Sequence, residues 1–133
     1  MIIAVGLDVI ELARIERVWN RYRDRFLYRH FTQEEIDYAL SKSNPLPSLS
    51  ARFAAKEAFQ KCWRESYGWK EVWVSRLGRR PELRFSSRIE EEMREKGYIA
   101  HLSLTHSKEN AAAVVILEKV IQTPTPNSLE EAP

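Results

Sequence analysis

His101-Leu102-Ser103-Leu104-Thr105-His106-Ser107-Lys108-Glu109-Asn110-Ala111-Ala112-Ala113-Val114-Val115-Ile116-Leu117 decides the fold. Its first six residues alternate polar and apolar, the period of a strand with one face on a core. The alanines favour helix, but Val114-Val115-Ile116 are β-branched and the polar connector Ser107-Lys108-Glu109 is short. Together these features predict an antiparallel hairpin over His101–His106 and Asn110–Leu117. Outward from it, Ile2 to Leu7 is a short apolar run that reads as a buried strand ending at Asp8. Val72-Trp73-Val74 and Leu83-Arg84-Phe85 read as two more strands around the turn Gly78-Arg79-Arg80-Pro81.

Between the strands the period changes. Leu12, Ile15, Trp19, Tyr22 and Phe26 recur at helical spacing and predict an amphipathic helix from about Glu11 to Tyr22 or a little beyond. Thr32, with Glu35 three positions on, is a capping-box start for a second helix running to about Lys42. Asn44-Pro45-Leu46-Pro47-Ser48 breaks the chain, and Ser48 is the expected cap of a third helix over about Leu49 to Trp63. Ser86 or Ser87 caps a charged helix, Arg88 to Lys96, which Gly97 ends. The sum is α+β: a small, mainly antiparallel sheet packed by three to four helices, in one module over residues 1–118. Residues 119–133 form a Pro-rich C-terminal tail, where Pro124 and Pro126 prevent regular structure.

At 133 residues the chain can hold a single core without metal or disulfide staples. The formal net charge of +2 implies no general affinity for polyanions, and no aromatic–basic interleave suggests nucleic acid. Cys62 is the one cysteine, so no internal disulfide forms, and the expectation is a buried thiol in a reducing compartment. The N-terminal apolar run is too short to span a bilayer, lacks a basic leader and meets a charge at Asp8. A cytoplasmic protein without membrane insertion is expected.

The third helix is the densest candidate site. At about 100° per residue, Glu57 and Lys61 project together from one face, opposite Ala55, Ala58, Phe59 and Cys62. Arg52 and Lys56 form a second pair at the same spacing to one side. Either pair can be plain surface charge. Asp8 adds weight, because a carboxylate closing a buried run must be paired, used as a helix cap, or bound to metal. A carboxylate at a strand end and another on a helix flanked by bases suit magnesium holding a phosphate-bearing ligand.

Arg14, Val18, Arg21 and Arg25 fall on a narrow stripe apart from the apolar face of the first helix. Two readings stand: a solvated face, or a docking surface for an acidic helix, with Val18 inside an arginine ring whose planar forks bind carboxylates. His106 closes its strand within Ser103-Leu104-Thr105-His106-Ser107-Lys108, a turn equipped to hold phosphate.

Taken jointly, these residues resemble the holo-acyl-carrier-protein synthase family of 4'-phosphopantetheinyl transferases. The resemblance spans Met1 to about Glu118. It rests on Gly6-Leu7-Asp8-Val9-Ile10-Glu11-Leu12-Ala13-Arg14-Ile15, on Phe31-Thr32 with Glu35, and on Arg52-Phe53-Ala54-Ala55-Lys56-Glu57-Ala58 with Lys61. Leu102-Ser103-Leu104-Thr105-His106-Ser107 and Asn110-Ala111-Ala112-Ala113 complete it, in the right order and with compatible spacing.

The resemblance implies transfer of the phosphopantetheine arm of coenzyme A to a serine of apo acyl carrier protein, releasing 3',5'-ADP. It implies that Asp8 and Glu57 hold magnesium, with manganese as the alternative, and that Asp8, Glu57 and Lys61 are catalytic. Arg52, Lys56, Lys61 and His106 would bind coenzyme A, while Arg14, Val18, Arg21 and Arg25 would dock the acidic, helical carrier. A homotrimer with sites between neighbouring subunits is also implied. One departure stands out: the family's Gly-Thr-Gly type loop after Lys61 is replaced by Cys62-Trp63-Arg64-Glu65-Ser66-Tyr67-Gly68-Trp69. With one glycine the backbone cannot approach a phosphate so closely, and Arg64 or Ser66 would take over the contact. That altered loop is also what an alternative function would rest on, a catalytically idle module that only binds the carrier protein.

Overall fold

A computed structural model describes residues 1–121; the proline-rich tail expected from Thr123 onward lies outside the described residues. The strands are β1 (Ile2–Glu11), β2 (Val72–Ser75), β3 (Glu82–Phe85), β4 (Tyr98–His106) and β5 (Asn110–Lys119). Between them lie α1 (Leu12–Tyr22), α2 (Asp24–His30), α3 (Gln33–Leu40), α4 (Leu46–Gln60) and α5 (Ser87–Lys96), with a 3-10 turn at Trp69–Glu71. The expected hairpin forms: β4 and β5 pair antiparallel from Tyr98↔Lys119 to His106↔Ala111. β5 also pairs antiparallel with β1, giving the order β1-β5-β4, while β2 and β3 make a separate two-stranded sheet.

Strand register sorts the residues by face. Ala4, Gly6, Asp8 and Ile10 of β1 share the inner face with Ala111, Ala113, Val115 and Leu117 of β5, the latter four nearly inaccessible. α4 lies on that face through Ala54, Ala55, Ala58 and Phe59, all fully buried; burying Phe59 alone is worth about 1.5–3 kcal/mol. The approach is so close that a Cβ at Gly6 would stand 1.9 Å from the Ala58 carbonyl oxygen. Only glycine fits there. The small residues of β1 and α4 thus bring Asp8 and Glu57 to the same end of one contact.

No described residue covers the opposite sheet face. Val5, Leu7 and Val9 are 59%, 58% and 62% exposed, so β1 is buried on one side only, contrary to its expected burial. The strand also continues past Leu7 to Glu11, because β5 offers partners as far as Asn110.

Two helix boundaries differ from expectation, both on α4. The first helix ends at Tyr22 as expected, where Arg23 takes a positive φ of 50°, and Phe26 belongs to α2. α4 begins at Leu46 rather than after a Ser48 cap: Pro45 and Pro47 are tolerated in a first turn, and Asn44 Oδ1 accepts the Leu46 N–H at 3.2 Å. α4 also ends at Gln60, short of Trp63. The capping box at α3 is present as read, with Glu35 Oε1 accepting from the Thr32 N–H at 3.0 Å. Gly97 closes α5 in the left-handed region at φ 70°.

Candidate active site

Asp8, Glu57 and Lys61 come together, from β1 and the end of α4. Lys61 caps α4, and its Nζ donates to the Leu7 carbonyl at 2.6 Å and lies 3.5 Å from Asp8 Oδ1. The Lys61 side chain is 53% exposed and so remains open to a ligand, whereas the Asp8 side chain retains 19%. Burial pushes the Glu57 carboxyl above the ordinary carboxylate range; the Asp8 charge adds to the push, and Arg14 and Lys61 oppose it. Two neighbouring carboxylates with a partly exposed ammonium 3.5 Å from one of them form a site that a cation would complete.

That donor set fits magnesium. The ion takes one or two protein carboxylates and keeps its other positions for phosphate oxygens and water. Among the described residues no group of three or more His, Cys, Asp or Glu gathers, so the chain offers a two-carboxylate foothold rather than a closed cage.

Lys56 belongs elsewhere. Its side chain, 1% exposed, projects toward β2, where Nζ lies 2.7 Å from Glu35 Oε1 and donates to the Val72 and Trp69 carbonyls at 2.8 and 3.0 Å. All three ammonium hydrogens are used, so the expectation that Lys56 binds coenzyme A is corrected: it ties α4 to α3 and β2. Burial pushes its pKa down, and the Glu35 carboxylate opposes the shift. Glu35 completes the knot by accepting the Val74 N–H at 3.0 Å through Oε2.

Arg52 is also buried, its guanidinium 4.3 Å from the Tyr38 ring centroid and its Nη1 donating to the Ser48 carbonyl at 3.3 Å. Its Nε has no partner. His106 is exposed at the end of β4, on the face that carries Asp8, but no bond joins it to Asp8 or Glu57.

The arginine stripe splits across the Arg23 break. Arg14, Val18 and Arg21 lie on α1 and Arg25 on α2. The guanidiniums of Arg21 and Arg25 both lie over the Tyr22 ring, at 5.3 and 5.7 Å. Beside them the break opens a groove of about 670 Å³ lined by Val18, Tyr22, Arg25, Phe26, Tyr28, Arg29 and His30. The sequence reading assigned no docking role to the last four of these or to Tyr22.

The loop after Lys61 is held by its aromatics. Trp63 stacks on Phe59 at 5.4 Å, Tyr67 stands edge-on to Phe59 at 5.6 Å, and Trp69 stacks on Phe53 at 5.0 Å. Glu71 pins the loop further, accepting from the Gly68 N–H at 2.9 Å and from Arg88 at 2.8 Å. Arg88 and that N–H hold the Glu71 carboxyl low, at about 2.

Comparison with known proteins matches residues 4–116 to the family model of the 4'-phosphopantetheinyl transferase superfamily. A holo-[acyl-carrier-protein] synthase of Thermus thermophilus is 58% identical over 118 residues, which cover 89% of this chain and 94% of that protein. The Deinococcus radiodurans synthase is 50% identical over 134 residues, covering 95% of this chain and all (100%) of that one. Among solved structures, the Neisseria meningitidis synthase superposes with a TM-score of 0.79 at 29% identity, covering 90% of this chain and 100% of that one. A Bacillus anthracis synthase in complex with CoA (3',5'-ADP) gives 0.73 at 33% identity, covering 90% and 99%.

Proposed function

The chain belongs to the 4'-phosphopantetheinyl transferase superfamily, and from that membership we propose how its residues divide the work. The enzyme transfers the 4'-phosphopantetheine arm of coenzyme A to a serine of apo acyl carrier protein and releases 3',5'-ADP. The serine Oγ bonds to the phosphorus bearing the arm, and the bond from that phosphorus to the bridging diphosphate oxygen breaks. Glu57 is the protein group placed to take the serine proton. Lys61 neutralises the charge that develops on the leaving 5'-phosphate of 3',5'-ADP, from the mouth of the site. Asp8 and Glu57 are the residues that would hold magnesium, or manganese in its place. When bound, the ion supplies charge neutralisation and alignment for the in-line displacement. Arg52 and His106 serve as further phosphate contacts.

The carrier docks through Arg14, Val18, Arg21 and Arg25. The α1–α2 groove supports this, because its apolar floor and arginine rim suit an acidic amphipathic helix. The bare outer face of the sheet, with Val5, Leu7 and Val9 exposed, supports a homotrimer. The separation of His106 from Asp8 fits sites formed between its subunits. The transferase domain spans residues 1–118, with β5 closing at Lys119. Among the described residues no helix is long and apolar enough to cross a membrane, and the lone, buried Cys62 suits work in the cytoplasm.

The observation that carries this assignment is the meeting of Asp8, Glu57 and Lys61 at an open mouth. Intact-mass spectrometry tests it, with apo carrier protein, coenzyme A, magnesium and the enzyme. A mass gain of one phosphopantetheine arm, lost with EDTA and in Glu57→Ala, is expected. Carrier binding without any mass gain points instead to an idle docking module.

A further inference from the structure

His30 lies at the end of α2 and lines the α1–α2 groove. Its Nδ1 is 2.8 Å from the Phe26 carbonyl oxygen. A carbonyl only accepts, so Nδ1 carries the proton and Nε2 of the neutral ring is left as an acceptor. No described residue donates to that nitrogen. The ring is fixed in place by aromatic neighbours, with Phe26 and Trp69 each 4.9 Å away and Phe53 at 5.8 Å. The groove's guanidiniums, Arg25 and Arg29, can only donate.

The geometry points to His30 Nε2 as the acceptor for a hydroxyl or amide N–H donor on the docked acidic helix, making His30 a specificity-determining residue for the carrier. This rests on the docking surface proposed above. Arginines alone accept any acidic helix. An acceptor covered by docking discriminates further, because a partner lacking the donor leaves it unpaired and desolvated.

The groups around the ring keep it in the accepting form. Burial pushes the imidazole below its ordinary range. The Phe26 carbonyl opposes that push, while Arg29 of α2 and Lys56 of α4 add to it. Lys56 is itself tied to Glu35 of α3. α1 contributes the Tyr22 hydroxyl to the groove, and the neighbouring 3-10 turn carries Lys70 beside Trp69.

Isothermal titration of apo carrier protein into wild type, His30→Phe, His30→Gln and Arg25→Ala at pH 7.5 tests the assignment. His30→Phe keeps the aromatic packing and should weaken binding roughly three- to tenfold, the worth of one hydrogen bond. His30→Gln, whose carbonyl can accept, should recover part of the loss. Should His30→Phe lack a cooperative melt, His30→Leu takes its place. Wild-type affinity in the folded acceptor-free variant overturns the role of His30. If Arg25→Ala also binds like wild type, the docking surface itself is wrong.

Discussion

α4 and its C-cap carry two lysines five positions apart, and each meets an acid from another element. Lys56 meets Glu35 at 2.7 Å with 1% and 0% of the two side chains exposed. Lys61 meets Asp8 at 3.5 Å with 53% and 19% exposed. The first pair is closed: three acceptors fill the ammonium and nothing remains for a ligand. The second is open, loosely bonded, and sits beside a carboxylate held above its ordinary pKa. A helix can therefore use one residue type for cohesion on one side and for chemistry on the other. What separates the roles is how completely the polar groups are satisfied by the protein itself.

The widest break between the two regions is expected at Glu57. Glu57→Ala should lower the transfer rate by roughly 10²–10⁴, the usual weight of a positioned base, with the melting temperature held or raised. The sign follows from linkage. A carboxyl whose folded pKa is raised stabilises the fold when protonated, and that contribution is lost as pH rises through the folded value. Ionised Glu57 is thus a cost to the metal-free fold at neutral pH, so Glu57→Gln should melt no lower than wild type in calorimetry with EDTA.

Lys56→Met should do the reverse. It strands buried Glu35 and should cost about 3–5 kcal/mol in urea unfolding, and the double variant Glu35→Gln/Lys56→Met should recover part of that loss. Lys61→Met should leave unfolding nearly unchanged. Gly6→Ala sharpens the link between the regions, because the added methyl would drive β1 off α4. It should cost about 1–3 kcal/mol and lower transfer as Asp8 and Glu57 separate, read by denaturation and rate together. The smallest effect is a titration shift. In the metal-free protein Asp8→Asn should lower the Glu57 pKa and Arg14→Ala should raise it, measured by carboxyl NMR.

Much of this was legible before the structure. The alternating β4 segment, the β-branched run of β5 and the Thr32–Glu35 capping box each state their local structure, because their signals act within a few residues. Asp8 and Glu57 could be paired because a charge closing an apolar run demands an explanation. The break at Arg23 could not be read: Leu12 through Phe26 keeps one helical period across it, and a single positive φ leaves no mark on periodicity. The role of Lys56 was hidden for a different reason. Arg52–Lys56 and Glu57–Lys61 look equally exposed by spacing, and the partner that buries Lys56 sits on another helix. The exposed face of β1 shows the same limit, since an apolar strand reads alike whether its second side meets core or another surface.

The most direct test of the claim that chemistry lives at the open pair is single-turnover transfer from coenzyme A to apo carrier protein. It should compare wild type with Asp8→Asn, Glu57→Gln and Lys61→Met at a temperature where every variant is fully folded. The account predicts that each of the three variants slows transfer by roughly 10² or more with an unchanged melting transition. Wild-type rates in Glu57→Gln, or losses that track the melting temperature rather than the site, would contradict it.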